Sequence, residues 1–188
     1  VASADITNTP FLRKIASKKK PVLLSTGASN LDEIDLAIKT LNSNGCKKIA
    51  IMHCILNYPT SDKNANLNMI KSLKIRYPDN LIGYSDHTNP DNQMTSLVSA
   101  YLLGAIIIEK HFTDDKNQKG NDHYHSMDLK DLKFFVEQAN RIHISLGNAI
   151  EKNFIPSEKI SRLNARRSIV LTKDLSKGHK IEERDITY

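Results

Sequence analysis

The sequence predicts an α/β protein built on a parallel β-sheet. Short apolar runs of strand length recur at intervals of about 30 residues, the size of a βαβ unit. Three of the runs are almost continuously hydrophobic, as strands buried on both faces are. By itself this alternation suits either an open doubly wound sheet or one half of a (β/α)₈ barrel, since a complete barrel needs roughly 250 residues. The four runs are 21–27, 48–54, 81–87 and 105–112.

Helical segments fill the intervals between the runs. The first, residues 30–45, has Asn30 as its expected N-cap, acidic residues in its first turn and Gly45 as its stop. Each of the others ends at proline or glycine: 66–78, 92–104 and 128–147. Strands separated by helices in this way favour right-handed βαβ connections and a parallel sheet. Residues 1–4 resemble the end of one further strand.

The composition is typical of a globular protein and argues against several classes of function. Hydrophobic residues make up 39% of the 188 positions, and no apolar run approaches the roughly 18 residues that cross a bilayer. The net charge of +6 comes from scattered lysines, which does not predict a nucleic-acid partner. Two cysteines make no disulfide framework. We therefore expect a cytoplasmic protein with neither a membrane nor a nucleic acid as its partner.

The character of the sequence changes after Gly147. Residues 148–167 are polar, irregular and basic, which predicts a linker, and residues 168–188 contain one β-run and a turn. The predicted organisation is therefore an α/β part over 1–147, a linker over 148–167 and the opening of a small β-rich module over 168–188. Because both ends of the sequence resemble the interior of a domain, we expect the chain to be a piece of a longer protein.

Polar side chains collect at the carboxyl ends of the predicted strands, where ligand sites lie in parallel α/β proteins. Alternation places Ser85 and His87 on one face of the third run, and Glu109 and His111 on one face of the fourth. If the two strands are neighbours, about 4.8 Å apart, both imidazoles can bind one cation. Two histidines with a carboxylate suit Mn²⁺, Fe²⁺ or Zn²⁺, and such an ion can polarise a carbonyl oxygen. The residues alone leave open the alternative of two structural histidines.

Other chemistry-bearing residues carry weaker signals. His53 lies beside the inward-facing series or within it, depending on the register of its strand, and we expect a core or supporting histidine. The loop 120–128 contains His123 and His125, which suit either a second metal feature or an active-site loop with one functional aspartate. Cys54 is a weak candidate nucleophile, since buried strand cysteines are mostly inert. The stretch 25–29 before a helix suits either a phosphate site or a simple helix cap.

Six motifs, in order, resemble those of the sialic acid synthase family: "PVLLSTGAS", "HCILNYPT", "NLNMIKSL", "IGYSDHT", "GAIIIEKHFT" and "GNDHYHSMD". The resemblance implies a transferase of carbohydrate biosynthesis. Such an enzyme condenses phosphoenolpyruvate with N-acetylmannosamine or a related amino sugar to give a nonulosonic acid and phosphate. It also implies a TIM barrel followed by a linker and a C-terminal antifreeze-like (SAF) domain. This chain would then hold the C-terminal half of the barrel and the start of the SAF domain.

The same resemblance implies roles for individual residues. The divalent cation, usually Mn²⁺ with Mg²⁺ or Co²⁺ as alternatives, would be bound by His87 and His111. Asp122 would contact the sugar and act in catalysis. Asp5 stands where the family usually has a glutamate near the metal and the reacting carbons. The remaining substrate contacts would be Ser3, Ser25 and Ser85 for phosphoenolpyruvate and Tyr58 for the sugar.

Two positions depart from the family pattern. Asp5 has a shorter side chain than the usual glutamate, and Leu56 replaces an Asn or Ser that contacts phosphoenolpyruvate. The family's phosphate-binding lysines and its SAF arginine lie outside this sequence. We therefore expect the full-length protein, a homodimer by the same resemblance, to catalyse the condensation, and the 188-residue chain alone to be inactive.

Two other functions are compatible with the motifs. One is a related metal-dependent 3-deoxy sugar acid synthase or aldolase on the same barrel. The other is a non-catalytic carbohydrate-binding relative, which the changes at Asp5 and Leu56 keep open. The sequence does not distinguish N-acetylmannosamine from the precursors of legionaminic or pseudaminic acid.

Overall fold

Four parallel strands form the sheet of residues 1–146 and lie in the order β1-β2-β3-β4. In this computed structural model, which describes residues 1–188, each of these four strands lies inside one of the predicted apolar runs. Neighbours in the sheet are neighbours in the chain, as in a segment of a barrel, whereas a doubly wound sheet reverses its strand order. The fold is therefore α/β with a parallel half-barrel sheet. The strands are β1 Val22–Ser25, β2 Ile49–Cys54, β3 Leu81–Asp86 and β4 Ile107–Lys110.

Helices connect the strands and begin largely where the sequence predicts. The second helix, α2, has the expected cap: the Asn30 side chain accepts from the Glu33 N–H at 3.0 Å, and the Glu33 carboxylate accepts from the Asn30 N–H at 2.9 Å. Two short helices, α1 and α3, were not predicted. The helices of this part of the chain are α1 Thr9–Ala16, α2 Leu31–Ser43, α3 Asp62–Ala65, α4 Met69–Arg76, α5 Thr95–Leu102 and α6 Leu129–Leu146.

Strand register sorts the side chains of the sheet onto two faces. On the face that packs against the helices, Leu24, Ile51 and Ile82 lie in one row and are fully or almost fully buried in the core. His53 lies two residues further along this face, opposite Tyr84, with the two rings stacked at 5.6 Å. Its Nε2 donates to the Ala65 carbonyl at 2.9 Å. His53 is therefore a core histidine, one of the two roles expected from the sequence.

A buried ion pair joins β3 to β4 on this helix-facing side. The Lys110 ammonium lies 2.8 Å from the Asp86 carboxylate, and their side chains are only 1% and 2% exposed. Asp86 also accepts hydrogen bonds from the Tyr84 hydroxyl at 2.7 Å and from the Thr88 N–H at 2.9 Å. Burial lowers the pKa of Lys110, and the Asp86 carboxylate opposes that shift. The two charges survive burial because each is paired and hydrogen-bonded.

The second compact unit, Gly147–Tyr188, has its own small elements. Strands β5 Val170–Leu171 and β6 Ile186–Thr187 pair antiparallel. Helix α7, Lys159–Ala165, lies inside the segment expected to be irregular. That expectation was wrong for these seven residues. They contain no proline or glycine and are compatible with a helix, although their polar composition suggested an irregular segment. Across the chain, every helix is too short or too polar to cross a membrane.

We predict that breaking the buried ion pair is costly. Asp86→Asn leaves the Lys110 ammonium without a buried counter-charge and should lower the free energy of unfolding by about 3–5 kcal/mol. Adding Lys110→Met removes the stranded charge and should recover part of that loss, measured by urea denaturation. The control is Asp35→Asn, which breaks an ion pair with Arg76 on the surface and should cost much less. Equal losses in the two single variants would contradict the prediction.

We also predict that His53 makes the fold sensitive to acid. Burial lowers the pKa of His53, so below about pH 6.5 the unfolded chain binds a proton that the folded chain resists. The free energy of unfolding should therefore hold above that pH and fall as the pH drops towards 5.5. His53→Gln should flatten this decline in urea titrations at several pH values, whereas His143→Gln on the exposed side of α6 should leave it unchanged. A decline that is the same in both variants would rule out His53 as its source.

Candidate active site at the carboxyl ends of the strands

Two histidines meet where β3 and β4 end. His87 follows Asp86 and His111 follows Lys110, so alternation carries both imidazoles to the sheet face opposite the ion pair. Their ring centres are 5.2 Å apart, with the planes at 77°. An imidazole on a cation has its ring centre about 3.2 Å from the metal, so two such rings at a tetrahedral angle lie about 5.2 Å apart. The predicted juxtaposition of these histidines is present with a spacing that suits a shared ion.

The environment of His87 fixes which ring nitrogen is available. Its side chain is buried, and Nδ1 lies 2.8 Å from the Ile55 carbonyl oxygen, which can only accept. Nδ1 therefore carries the proton, and Nε2 keeps its lone pair for a ligand. Burial lowers the pKa of His87, which keeps the ring neutral near pH 7. A carbonyl-oriented neutral imidazole is the usual form of a metal-binding histidine.

Tyr58 covers the two histidines. Its ring centre is 4.1 Å from that of His87, with the planes at 36°, and 5.9 Å from that of His111. Tyr58 is 45% exposed, so it remains open to solvent on one side. Burial of the ring and the nearby acidic groups raise the pKa of Tyr58, and the hydroxyl therefore remains a hydrogen-bond donor.

The loop after β4 adds two further polar groups to the histidines. Asp122 lies with one carboxylate oxygen 3.8 Å from His111 Nδ1 and the other 3.7 Å from His125 Nε2. Ligand atoms of His111, Asp122 and His125 all lie within 4.8 Å of one another, a grouping that could hold one metal ion after a small inward movement. His87 does not belong to this trio, but its ring lies 5.2 Å from that of His111, which does. His125 was not among the ligands that the family resemblance implies, although the sequence alone raised it, together with His123, as part of a possible second metal feature.

Hydroxyl groups line the same face of the sheet below the histidines. Ser3 Oγ accepts from the Gly27 N–H at 2.9 Å, and Ser85 Oγ donates to the Glu109 carboxylate at 2.9 Å. Ser25 is buried on this face, one step earlier along β1. A Cβ atom at Gly27 would lie 2.8 Å from Ser3 Oγ, so only glycine allows the two segments to approach this closely. The predicted serines thus lie on the face that carries the histidines.

Asp5 and Leu56 lie at the margin of this arrangement, whereas Cys54 lies within it, with its Sγ 3.5 Å from Ser3 Oγ and 3.9 Å from His87 Nδ1. The Asp5 carboxylate accepts a hydrogen bond from the Asn8 side chain at 3.3 Å and makes no contact with the imidazoles. Leu56 is 45% exposed in the segment after β2. Burial raises the pKa of the Cys54 thiol, which keeps it protonated and does not favour a nucleophilic role.

The arrangement combines two kinds of chemistry at one sheet edge. A cluster of imidazoles and one carboxylate is suited to a divalent transition-metal ion. Hydroxyl donors close by are suited to a phosphate or carboxylate group, because they can donate without bringing a charge of their own. Together the two features suit a substrate that is anionic and a second substrate with a polarisable oxygen.

Comparison with known proteins gives consistent matches along the chain. Residues 1–151 match the model of the NeuB family. The chain is 39% identical to N,N'-diacetyllegionaminic acid synthase of Campylobacter jejuni, with 100% of this chain and 55% of that protein covered. It is 31% identical to N-acetylneuraminate-9-phosphate synthase of Drosophila melanogaster, with 99% and 55% covered. The chain spans about half the length of these curated relatives.

A solved structure agrees with the sequence matches. N-acetylneuraminic acid (sialic acid) synthetase of Leptospira borgpetersenii, in complex with citrate, superposes with a TM-score of 0.76 at 34% identity. The match covers 89% of this chain and 58% of that protein. The family model alone accounts for most of the chain, and the parallel half-barrel sheet agrees with the solved structure. This chain therefore belongs to the NeuB family of sialic-acid-type synthases.

Proposed function

We propose that the whole protein is a nonulosonic acid synthase that condenses phosphoenolpyruvate with the open-chain aldehyde of an amino sugar. The observation that carries the proposal is the meeting of His87 and His111 at the carboxyl ends of β3 and β4, above buried serine hydroxyls. The NeuB relatives are named as synthases of legionaminic acid and of N-acetylneuraminate 9-phosphate, which supports the reaction type and leaves the amino sugar open.

In this proposal a divalent cation, Mn²⁺ in the first place, is held by His87 and His111. The 2.8 Å hydrogen bond from His87 Nδ1 to the Ile55 carbonyl supports that role, because it turns the Nε2 lone pair towards a ligand. When bound, the cation would act as a Lewis acid that polarises the aldehyde oxygen of the sugar.

The serine hydroxyls would hold phosphoenolpyruvate. Ser3, Ser25 and Ser85 are buried or nearly so and lie on the face that carries the histidines, so they can donate to the phosphate and carboxylate oxygens. Ser85 Oγ would then turn its proton from Glu109 to the substrate. Holding an anion by fixed donors contributes to catalysis by orienting the donor carbon towards the aldehyde.

Tyr58 and Asp122 would bind the amino sugar beside the cation. The C2=C3 double-bond electrons of phosphoenolpyruvate form the bond from C3 to the aldehyde carbon, and the aldehyde oxygen takes up a proton to become a hydroxyl. Water adds at the electron-poor C2 and gives up a proton, and the resulting C2 hydroxyl loses the remaining proton as the bond between C2 and the phosphate oxygen breaks, which leaves a ketone and inorganic phosphate. Asp5 stays a candidate for a carboxylate near the reacting carbons, a role that would require it to leave Asn8.

Further parts of the proposal concern the whole protein. Residues 168–188, with the antiparallel pair of β5 and β6, would begin an SAF domain. The whole protein would be a cytoplasmic, phosphoenolpyruvate-dependent transferase acting as a homodimer. Because the chain spans about half of its relatives, we expect the 188 residues alone to release no phosphate above background.

We predict that His87 is required for turnover. Removing a metal ligand should cost at least as much as removing a supporting residue, so His87→Ala should reduce phosphate release at least about 100-fold. The assay supplies the whole protein with Mn²⁺, phosphoenolpyruvate and N-acetylmannosamine or another amino sugar. His143→Ala, which alters an exposed histidine of α6, should retain full activity.

Different results of that assay separate the alternatives. Phosphate release that depends on a sugar phosphate aldehyde rather than an amino sugar would favour a 3-deoxy sugar acid synthase. Sugar binding without phosphate release from any aldehyde would favour a carbohydrate-binding relative. Unchanged turnover in His87→Ala would overturn the proposed role of the histidine pair.

We predict that substitutions in the two proposed substrate sites raise different Michaelis constants, one for phosphoenolpyruvate and the other for the amino sugar. Ser85→Ala removes a hydroxyl proposed to contact phosphoenolpyruvate, and Asp122→Asn changes a carboxylate proposed to contact the sugar. A hydrogen bond to a charged group is worth about 1.5–3 kcal/mol, so each change should raise one KM about 10- to 100-fold. Steady-state kinetics with each substrate varied in turn should show KM for phosphoenolpyruvate rising in Ser85→Ala only. A rise of both constants in both variants would contradict the assignment.

A further inference from the structure

His125 is the most deeply buried histidine of the site, and nothing in the protein satisfies it. Its side chain is 0% exposed, and neither Nδ1 nor Nε2 has a hydrogen-bond partner. A neutral imidazole has one donor and one acceptor, and burying both without partners costs free energy. Buried unsatisfied groups in native proteins usually indicate a role in catalysis, a water or an ion.

The groups around His125 are those of a metal site. Its ring centre lies 5.1 Å from that of His111, almost the same as the 5.2 Å between His111 and His87. His111 is thus about equally far from the other two imidazoles. The Asp122 carboxylate is 3.7 Å from His125 Nε2, and these ligand atoms with that of His111 fall within 4.8 Å. Two ligand atoms on one cation are separated by up to about 4.2 Å, so a small inward movement would close the site.

The backbone holds His125 in this position. The Met127 N–H donates to the His111 carbonyl at 2.8 Å, and the Thr113 N–H donates to the Met127 carbonyl at 2.8 Å. These bonds return the loop to the end of β4 and place the His123–His125 turn beside His111. Because the anchor consists of backbone hydrogen bonds, it does not depend on the imidazole itself.

The neighbouring histidine of the same turn has a different environment. His123 is partly exposed, and its Nδ1 lies 2.8 Å from the Thr113 hydroxyl, so one of its ring nitrogens has a hydrogen-bond partner within the protein. His123 therefore has a structural partner where His125 has none. The pair provides a matched comparison of two histidines two residues apart.

We propose that His125 is a third imidazole ligand of the cation that His87 and His111 bind, an inference that rests on the proposed function. A third nitrogen ligand changes which ions the site prefers. Imidazole suits iron, nickel and zinc, and an added nitrogen ligand strengthens binding of Mn²⁺ less than of those ions, whereas Mg²⁺ prefers oxygen ligands and retains several waters. His125 would therefore set the preference of the site for transition-metal ions over Mg²⁺.

Mn²⁺ binding to the whole protein, followed by electron paramagnetic resonance of the free ion, tests this inference. His125→Ala should weaken Mn²⁺ binding about 10- to 100-fold. The weaker affinity for Mg²⁺, measured by its competition with Mn²⁺, should stay nearly unchanged. His123→Ala is the matched control and should change Mn²⁺ affinity less than about threefold, since it is no ligand. Pulsed resonance of Mn²⁺ bound to the unaltered protein should detect three coupled imidazoles, falling to two in His125→Ala.

The outcomes separate this inference from the proposed function. If His87→Ala abolishes Mn²⁺ binding while His125→Ala binds as the unaltered protein does, the proposed pair stands and His125 is not a ligand. Two coupled imidazoles in the unaltered protein would overturn the inference even if His125→Ala failed to fold. If the unaltered protein binds no Mn²⁺ at this site, the cation of the proposed function fails as well.

Discussion

The site depends on the buried ion pair between Asp86 and Lys110. Each partner directly precedes a site histidine, so fixing these two charges on the helix-facing side fixes His87 and His111 on the opposite side. The distance between the imidazoles is therefore set by strand register and by one interaction beneath them. Burial of two charges is costly, and the pair persists because Tyr84 and Thr88 complete its hydrogen bonds.

This arrangement divides the sheet between stability and chemistry. The helix-facing side buries apolar residues with a few fully paired polar groups, which stabilises the half-barrel. The opposite side carries hydroxyls, a thiol, a carboxylate and imidazoles, which contribute little apolar burial. Some of them are satisfied within the protein, as Ser85 is by Glu109, whereas His125 is not. The unsatisfied groups are where binding energy for a ligand is available.

Much of the fold was predictable because local signals agreed with the final structure. Continuous apolar runs located all four strands, and the capping signal at Asn30 located the start of α2. The meeting of His87 and His111 followed from two rules, side-chain alternation and the pairing of consecutive parallel strands. Which residues of β2 face the helices was not predictable, because all six residues are buried and the strand shows no alternation of polar and apolar positions. Only the pairing of His53 with Tyr84 shows which way His53 faces. The position of His125 likewise depends on backbone bonds between the loop and β4, which have no sequence signature.

The central claim is that one cation binds where β3 and β4 end. Anomalous diffraction at the manganese edge, from crystals of the whole protein grown with Mn²⁺, tests this claim most directly. We expect a single strong peak within bonding distance of both His87 Nε2 and a ring nitrogen of His111. A peak elsewhere, or two separate peaks each on one histidine, would contradict it.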